Sequence, residues 1–279
     1  YRSFYNFIFR ANIVVQNLDV ATEANRVKFE AEAKFVRAYA YFNLVRLYGD
    51  IPLVDRVITN EDTEVSFTRV PTATIYELIV SDLTTAVAEL DNTYISRASK
   101  AAAETLLAKV YLTQGTNYTQ AQVLLESVMG SGFALELNFK DVFFLEANSE
   151  TIFSVGYIND NSQNSQDFSA EMLNSVGRSS GQNYLTDDMI AVMMESGGNR
   201  NEFSFRVDPV QISVTQVIKY LPNGDEDLGI EPTGSNPRLA GNDWIVLRYA
   251  DVLLMHAEAI LAGGQSTTAS NAIASVEIV

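Results

Sequence analysis

The stretch EAEAKFVRAYAYFNLVRLYGDIPLV, Glu30 to Val54, decides the reading of the fold. Ala33, Val36, Ala40 and Leu44, with Phe29 just before them, recur at three- and four-residue steps, the period of an α-helix with one buried face. Gly49 and then Pro52 stop the helix, which therefore runs from about Arg26 to Leu47. This is the most apolar helical stretch of the chain, yet Arg37, Arg46, Asp50 and Pro52 interrupt it, so it is not a membrane span. Arg37 and Glu32 stand on an otherwise apolar helix. Desolvating an unpaired charge costs several kcal/mol, so the expectation is that both are paired and tie helices together rather than forming a catalytic ion network.

Outward from this helix, the first 130 residues read as more of the same. Phe4, Phe7, Ile8, Ala11, Val14, Val15 and Leu18 trace the apolar face of a preceding helix. A third helix follows Pro71, with Thr74 and Glu77 at the spacing of a capping box and Ile75, Leu78, Ile79, Leu83, Ala86, Val87 and Leu90 as its face. A fourth runs from about Arg97 to Thr113 and stops at Gly115; a fifth runs from about Thr119 to Met129. In this pair small Ala108 lies among large apolar residues, and Ala121 follows a short polar turn. Alanines that let two helices approach are the logic of a tetratricopeptide hairpin, although the full repeat signature is missing and an ordinary antiparallel pair reads equally well.

From Gly130 to Asp243 the texture changes to Asn, Ser, Gly, Asp and Gln with short periodicity. Thr151–Tyr157 and Gln211–Tyr220 read as strands, and Asp160–Gln182 as a long polar loop of the kind that carries function. Helix returns from about Val246 to Leu261, is ended by Gly263 and Gly264, and a further helix begins near the last residues. The resulting expectation is one all-α-dominated domain over 1–279. Residues 1–130 and 246–279 form a tetratricopeptide-like helical-repeat scaffold, and 131–245 a loop-rich ligand-binding region with short strands.

Acidic residues outnumber basic ones 35 to 19, a net charge of -16. Such a surface repels phosphate backbones and anionic headgroups, which argues against nucleic acid and membrane adsorption and leaves neutral ligands open. With no cysteine there are no disulfides, thiolate zinc sites or cysteine nucleophiles. The chain starts at Tyr1 in a helical pattern and stops at Val279 inside apparent structure, so it reads as a fragment whose targeting signal or anchor lies upstream.

Two segments resemble the SusD/RagB family. In Glu30–Val54 the matching residues are Glu32, Ala33, Phe35, Arg37, Ala38, Tyr39, Phe42, Leu44, Tyr48, Gly49, Pro52 and Leu53. In WIVLRYADVLLMHAEAI, Trp244 to Ile260, they are Leu247, Arg248, Tyr249, Ala250, Asp251, Leu253, Leu254, Ala257 and Glu258. Weaker matches, YRSFYNFIFRANIVVQNL, SETIFSVGY and VIKY, stand in the expected order, so the resemblance covers nearly the whole chain. It implies a SusD-like fold with four tetratricopeptide-like helix pairs, on which loops bind oligosaccharide or polysaccharide, or peptide in some members. It implies a lipoprotein on the extracellular face of the outer membrane, anchored outside this fragment, that acts as a lid on a SusC-like TonB-dependent transporter. It implies no enzyme activity.

Three motifs offer an enzyme or a metal site instead. Gly177-Arg178-Ser179-Ser180-Gly181 fits G-x-S-x-G, but the preceding segment is not a convincing strand, and the only histidine, His256, sits in a helix whose role in the family is structural. Asp187-Asp188 and Asp225-Glu226-Asp227 offer carboxylates for glycoside cleavage, although adjacent acids point apart. Asn223, Asp225 and Asp227 alternate like a calcium loop, but the glycine comes one place late, at Gly229, and Gly234 replaces the closing glutamate. A loosely bound calcium is thus the sole cofactor reading left open. Sugars need aromatic faces beside amides, carboxylates or arginine. The loop-rich region supplies Tyr157, Asn159, Asp160, Gln163, Asn164, Phe168, Arg178, Asn183 and Tyr184, the expected glycan-binding set; Trp244, next to the helix motif, is expected to be buried. A peptide receptor on the same scaffold is the alternative, with a glycan hydrolase and a purely structural helical adaptor behind it.

Overall fold

The computed structural model describes residues 1–59, 62, 67–94, 97–171, 184–208, 212–222, 228–231, 236–263 and 269–279. It is mostly helical, with short strands and loops, and it divides into two compact units: Tyr1–Phe133 with Leu247–Val279, and Ala134–Val246.

The first unit is built from α1 (Arg2–Gln16), α2 (Glu23–Tyr48), α3 (Thr72–Glu89), α4 (Lys100–Gln114) and α5 (Tyr118–Met129), and after the second unit from α10 (Tyr249–Gly263) and α11 (Ala269–Ile278). A two-stranded antiparallel pair, β1 (Ile51–Pro52) with β2 (Arg69–Val70), joins α2 to α3. Packing follows this order: α1 on α2, α2 on α3, α3 on α4, α4 on α5, α5 on α10 and α10 on α11. Ala101, Ala102, Ala103, Ala108 and Ala121 are fully buried, small side chains that fill little space between packed helices. Gly49 ends α2 at φ 69°, a conformation that a side chain would strain. Among the described residues no helix is long and apolar enough to cross a membrane.

Arg37 and Glu32 of α2 are both paired. Arg37, 5% exposed, forks onto Asp82 of α3 with Nε–Oδ2 and Nη2–Oδ1 both at 2.8 Å. Its Nη1 donates to Asn12 Oδ1 at 2.8 Å and to the Asp55 carbonyl at 3.1 Å. Asn12 in turn donates to the carbonyls of Val54 and Arg56, so one guanidinium joins α1, α2, α3 and the chain after β1. Burial pushes the Asp82 carboxyl above its ordinary range, against the pull of Arg37. Glu32 pairs with Arg97, and Asp251 with Lys109 at 2.7 Å.

Three expectations need correction. Thr74 does not cap α3: the helix starts at Thr72, whose amide donates to the Asp50 carboxylate at 2.9 Å, so a long-range acceptor takes the role given to a local one. The strand expected over Gln211–Tyr220 is only Thr215–Val217; Gln211 itself lies outside the described residues. Val246–Arg248 are strand, not helix: β6 spans Trp244–Arg248, and α10 starts at Tyr249. The β-branched run Ile245-Val246 favours extended backbone there.

The second unit holds α6 (Phe139–Phe144), β3 (Thr151–Val155), α7 (Phe168–Glu171), α8 (Asp187–Ser196), α9 (Arg200–Ser204), β4 (Phe205–Val207), β5 (Thr215–Val217) and the start of β6 (Trp244–Arg248). Strand β3 pairs with β6, and β4 with β5 in antiparallel register, Arg206 opposite Gln216. Ile218, Leu221 and Ile230 form a small core against Phe144, Phe203 and Leu228.

Candidate functional site

Six aromatic rings of the second unit make a continuous strip. Phe139 and Phe143 stand four residues apart on α6, on one face, while Val142 beside them is buried. Their centroids are 5.2 Å apart, and Phe143 is 5.4 Å from Tyr220. Tyr220 follows buried Ile218 and precedes buried Leu221, so the core anchors it from both sides. Its ring stacks on Trp244 at 5.6 Å and 16°. Phe168, at the start of α7, lies 5.4 Å from Tyr220 and 5.1 Å from Trp244, perpendicular to the latter at 90° and tilted 77° to the former. Tyr157, just after β3, closes the row 6.2 Å from Phe168.

Among the described residues Trp244 carries one stacked ring. Phe168 is nearly equidistant from the two stacked rings, so it packs along their shared edge; a ring on the outer face of Trp244 would be much farther from Tyr220 than from Trp244. Tyr220 covers one indole face and neither neighbouring ring covers the other. Trp244 is 41% exposed, which corrects the expectation that it is buried. Along β6 it alternates with Leu247, which carries the burial.

Polar contacts hold the strip in place. The Asp243 carboxylate accepts from Ser154 Oγ and from the Tyr157 amide, both at 3.1 Å, and so fixes the end of β3 beside Trp244. Gln166 Oε1 accepts from the Ser169 amide at 3.1 Å, and its Nε2 donates to Ser169 Oγ at 2.9 Å, which orients the start of α7 and hence Phe168. Gly241 lies against Asn159: a Cβ there would stand 2.8 Å from the Asn159 amide nitrogen. A cavity of about 30 Å³ lined by Phe143, Asn148, Ser154 and Asp243 has room for little more than a water. Trp244 is the exposed ring of the six; the other five are half-buried.

Of the residues nominated from sequence, Tyr157 and Phe168 are brought together in the strip. Asp160 accepts from the Asn236 amide at 3.2 Å, and the amides of Gln163 and Asn164 donate to Asn161 Oδ1 at 2.9 and 3.0 Å, so part of this loop's polarity serves its own shape. Asn159 Oδ1 is buried against Gly241 without a hydrogen-bond partner. Tyr184 bridges to Gln216 of β5. Arg178 and Asn183 lie outside the described residues, as do Ser179 with its glycines, Asn223, Asp225–Asp227 and Gly234. Sequence reasoning missed Phe139, Phe143, Tyr220, Trp244 and Asp243.

His256 is buried in the first unit, with Nδ1 2.8 Å from Ser275 Oγ and Nε2 3.3 Å from Glu126 Oε1, linking α10 to α11 and α5. Asp187 and Asp188 are exposed in the first turn of α8, where acids favour the helix dipole. Among the described residues no three His, Asp or Glu side chains gather as metal ligands.

A family model described as "Starch-binding associating with outer membrane" matches residues 1–112, and one described as "SusD family" matches residues 217–278. "SusD-like protein P2" of Formosa agariphila is 28% identical over 95% of this chain, which spans 59% of that relative's length. Two solved structures share the fold: a "Laminarin binding SusD-like protein" (TM-score 0.76, 23% identity, 99% of this chain and 69% of that one) and a SusD superfamily protein from Bacteroides thetaiotaomicron (TM-score 0.80, 21% identity, 99% and 64%).

Proposed function

The chain belongs to the SusD/RagB family, and on that premise we propose that it is the glycan-capturing body of a cell-surface receptor that performs no bond-breaking. The observation that carries this reading is the exposed Trp244 ring, backed by Tyr220 and met edge-on by Phe168, which Tyr157 adjoins. Flat C–H faces of a sugar stack on such a platform, and the surrounding amides and carboxylates select among hydroxyl patterns. The description of the matching family model as starch-binding, and that of a structural relative as laminarin-binding, support the glycan class without naming the sugar.

The finer parts of the proposal rest on the family. The chain-order packing of α1–α5, α10 and α11 supports tetratricopeptide-like pairs as a scaffold over 1–130 and 246–279; in this reading 131–245 is the ligand-binding region. Lipid anchoring at the extracellular face of the outer membrane, and hand-over to a SusC-like TonB-dependent transporter, belong to the same reading. Isothermal titration against purified oligosaccharides and peptides tests it. Binding of at least one oligosaccharide that survives without chain shortening supports capture; binding of peptides alone would replace the sugar with the peptide ligand.

A further inference from the structure

Helices α1 and α2 of the first unit border an open apolar groove. Phe7, Ala11 and Val14 of α1 line it, and so do Phe29, Ala33 and Val36 of α2. Both sets step by four and then three residues, so each helix turns one ridge toward the groove. Ala11 and Ala33 are buried and make its floor; Phe7, Val14, Phe29 and Val36 are 44%, 40%, 36% and 36% exposed and make its walls. The space is about 410 Å³, room for several side chains, against about 30 Å³ in the cavity beside Phe143. No amide or hydroxyl side chain lines it, so it offers a sugar little to bond. Its charged lining is Arg10, Glu32 and Arg97, of which Glu32 and Arg97 pair with each other. Arg10 is exposed at the rim and has no ion-pair partner among the described residues.

We propose that this groove is a docking site for helix α8 of a second copy of the chain. None of the ten residues of α8 is buried, and Met189 and Met194 are 49% and 66% exposed. The charges are complementary. Helix α8 carries Asp187, Asp188 and Glu195 and no base, whereas α1 carries Arg2 and Arg10 and no acid. This match is local and works against the repulsion between two chains of charge -16, which salt screens beyond about 8 Å. The lengths agree as well. Ten helical residues span about 15 Å, and the ridges from Phe7 to Val14 and from Phe29 to Val36 run about 10 Å. Unbranched Met side chains adapt to such a trough, and an amphipathic helix laid in an apolar groove is a recurrent mode of recognition. Groove and helix are different surfaces, so the contact is head to tail and each copy offers one of each.

Analytical ultracentrifugation of the whole chain over about 1–500 μM tests this. The weight-average mass should rise with concentration, with half-association at about 10–100 μM, since one helix in one groove is less than a standard interface. V14E in the groove and M189E on α8 should each weaken association at least about tenfold. An equimolar mixture of the two variants should associate as the parent does but stop at a dimer, because one intact groove then meets one intact helix. R10E takes the place of V14E if circular dichroism shows V14E unfolded. A parent that stays monomeric throughout, association that survives M189E, or a mixture no heavier than its separate members would each overturn the proposal.

Discussion

The ring of Tyr220 lies nearly parallel to that of Trp244, 16° between planes and 5.6 Å between centroids. Tyr220 is set by the core that Ile218 and Leu221 share, Trp244 by strand β6 and by Asp243 beside it. The platform thus depends on two elements meeting, and variants that shift either one should act on binding before they act on the fold.

Gly241 is the first such place. A Cβ there would stand 2.8 Å from the Asn159 amide nitrogen and 2.6 Å from its Cγ, and backbone cannot yield as a flexible side chain can. The segment after Tyr157 is held there by the Asp160 amide donating to the Leu239 carbonyl at 2.8 Å. G241A is expected to destabilise the protein by about 1–3 kcal/mol in urea denaturation and to weaken oligosaccharide binding more than an exposed control such as V192A does. A G241A variant with unaltered stability and affinity would show that the loop accommodates the methyl group.

The frame was legible in the sequence and the platform only partly so. Helix α2 declares itself through buried Ala33, Ala40 and Leu44 and through Gly49, but Phe29 and Val36, expected on the same face, are exposed, and buried Phe35, Ala38, Tyr41 and Phe42 show that α2 packs on several sides rather than one. Tyr157 and Phe168 stood out as aromatics in a polar loop. The sequence sets Trp244 beside a helix motif and so predicts its burial; as a strand, WIVLR places Trp244 on the face opposite Leu247. Phe139 and Phe143 carried a signal too, their four-residue spacing beside Val142. The stacking of Tyr220 on Trp244 had none, since local pattern does not say which distant rings meet.

Arg37 and Asp82 test the scaffold. Arg37 is 5% exposed and Asp82 1%, so removing one partner leaves a charge buried. R37M is expected to cost about 3–5 kcal/mol in chemical denaturation, and R37M/D82L to recover part of that loss. Additive losses in the double variant would mean that the two side chains act separately.

Glu104 gives a pH dependence of defined sign. It is 3% exposed, accepts from Ser127 Oγ at 2.9 Å, and has Oε2 without a hydrogen-bond partner. Burial pushes its carboxyl above the usual range, against the pulls of Ser127 and Lys100. The folded state therefore holds this proton more tightly than the unfolded chain does, and the contribution of Glu104 to stability falls as pH rises from the ordinary glutamate value through the raised one. The Tm of E104Q minus that of the parent should rise between about pH 4 and pH 7. A flat or falling difference would contradict the raised value.

Affinity of W244A for an oligosaccharide that the parent binds is the most direct measurement of the central claim. With the far-UV circular dichroism and Tm of the parent retained, binding is expected to weaken by about 1–3 kcal/mol, as for other stacked aromatic anchors. Undiminished affinity in a folded W244A would contradict the account, because the sugar would then have bound without the face that Tyr220 leaves open.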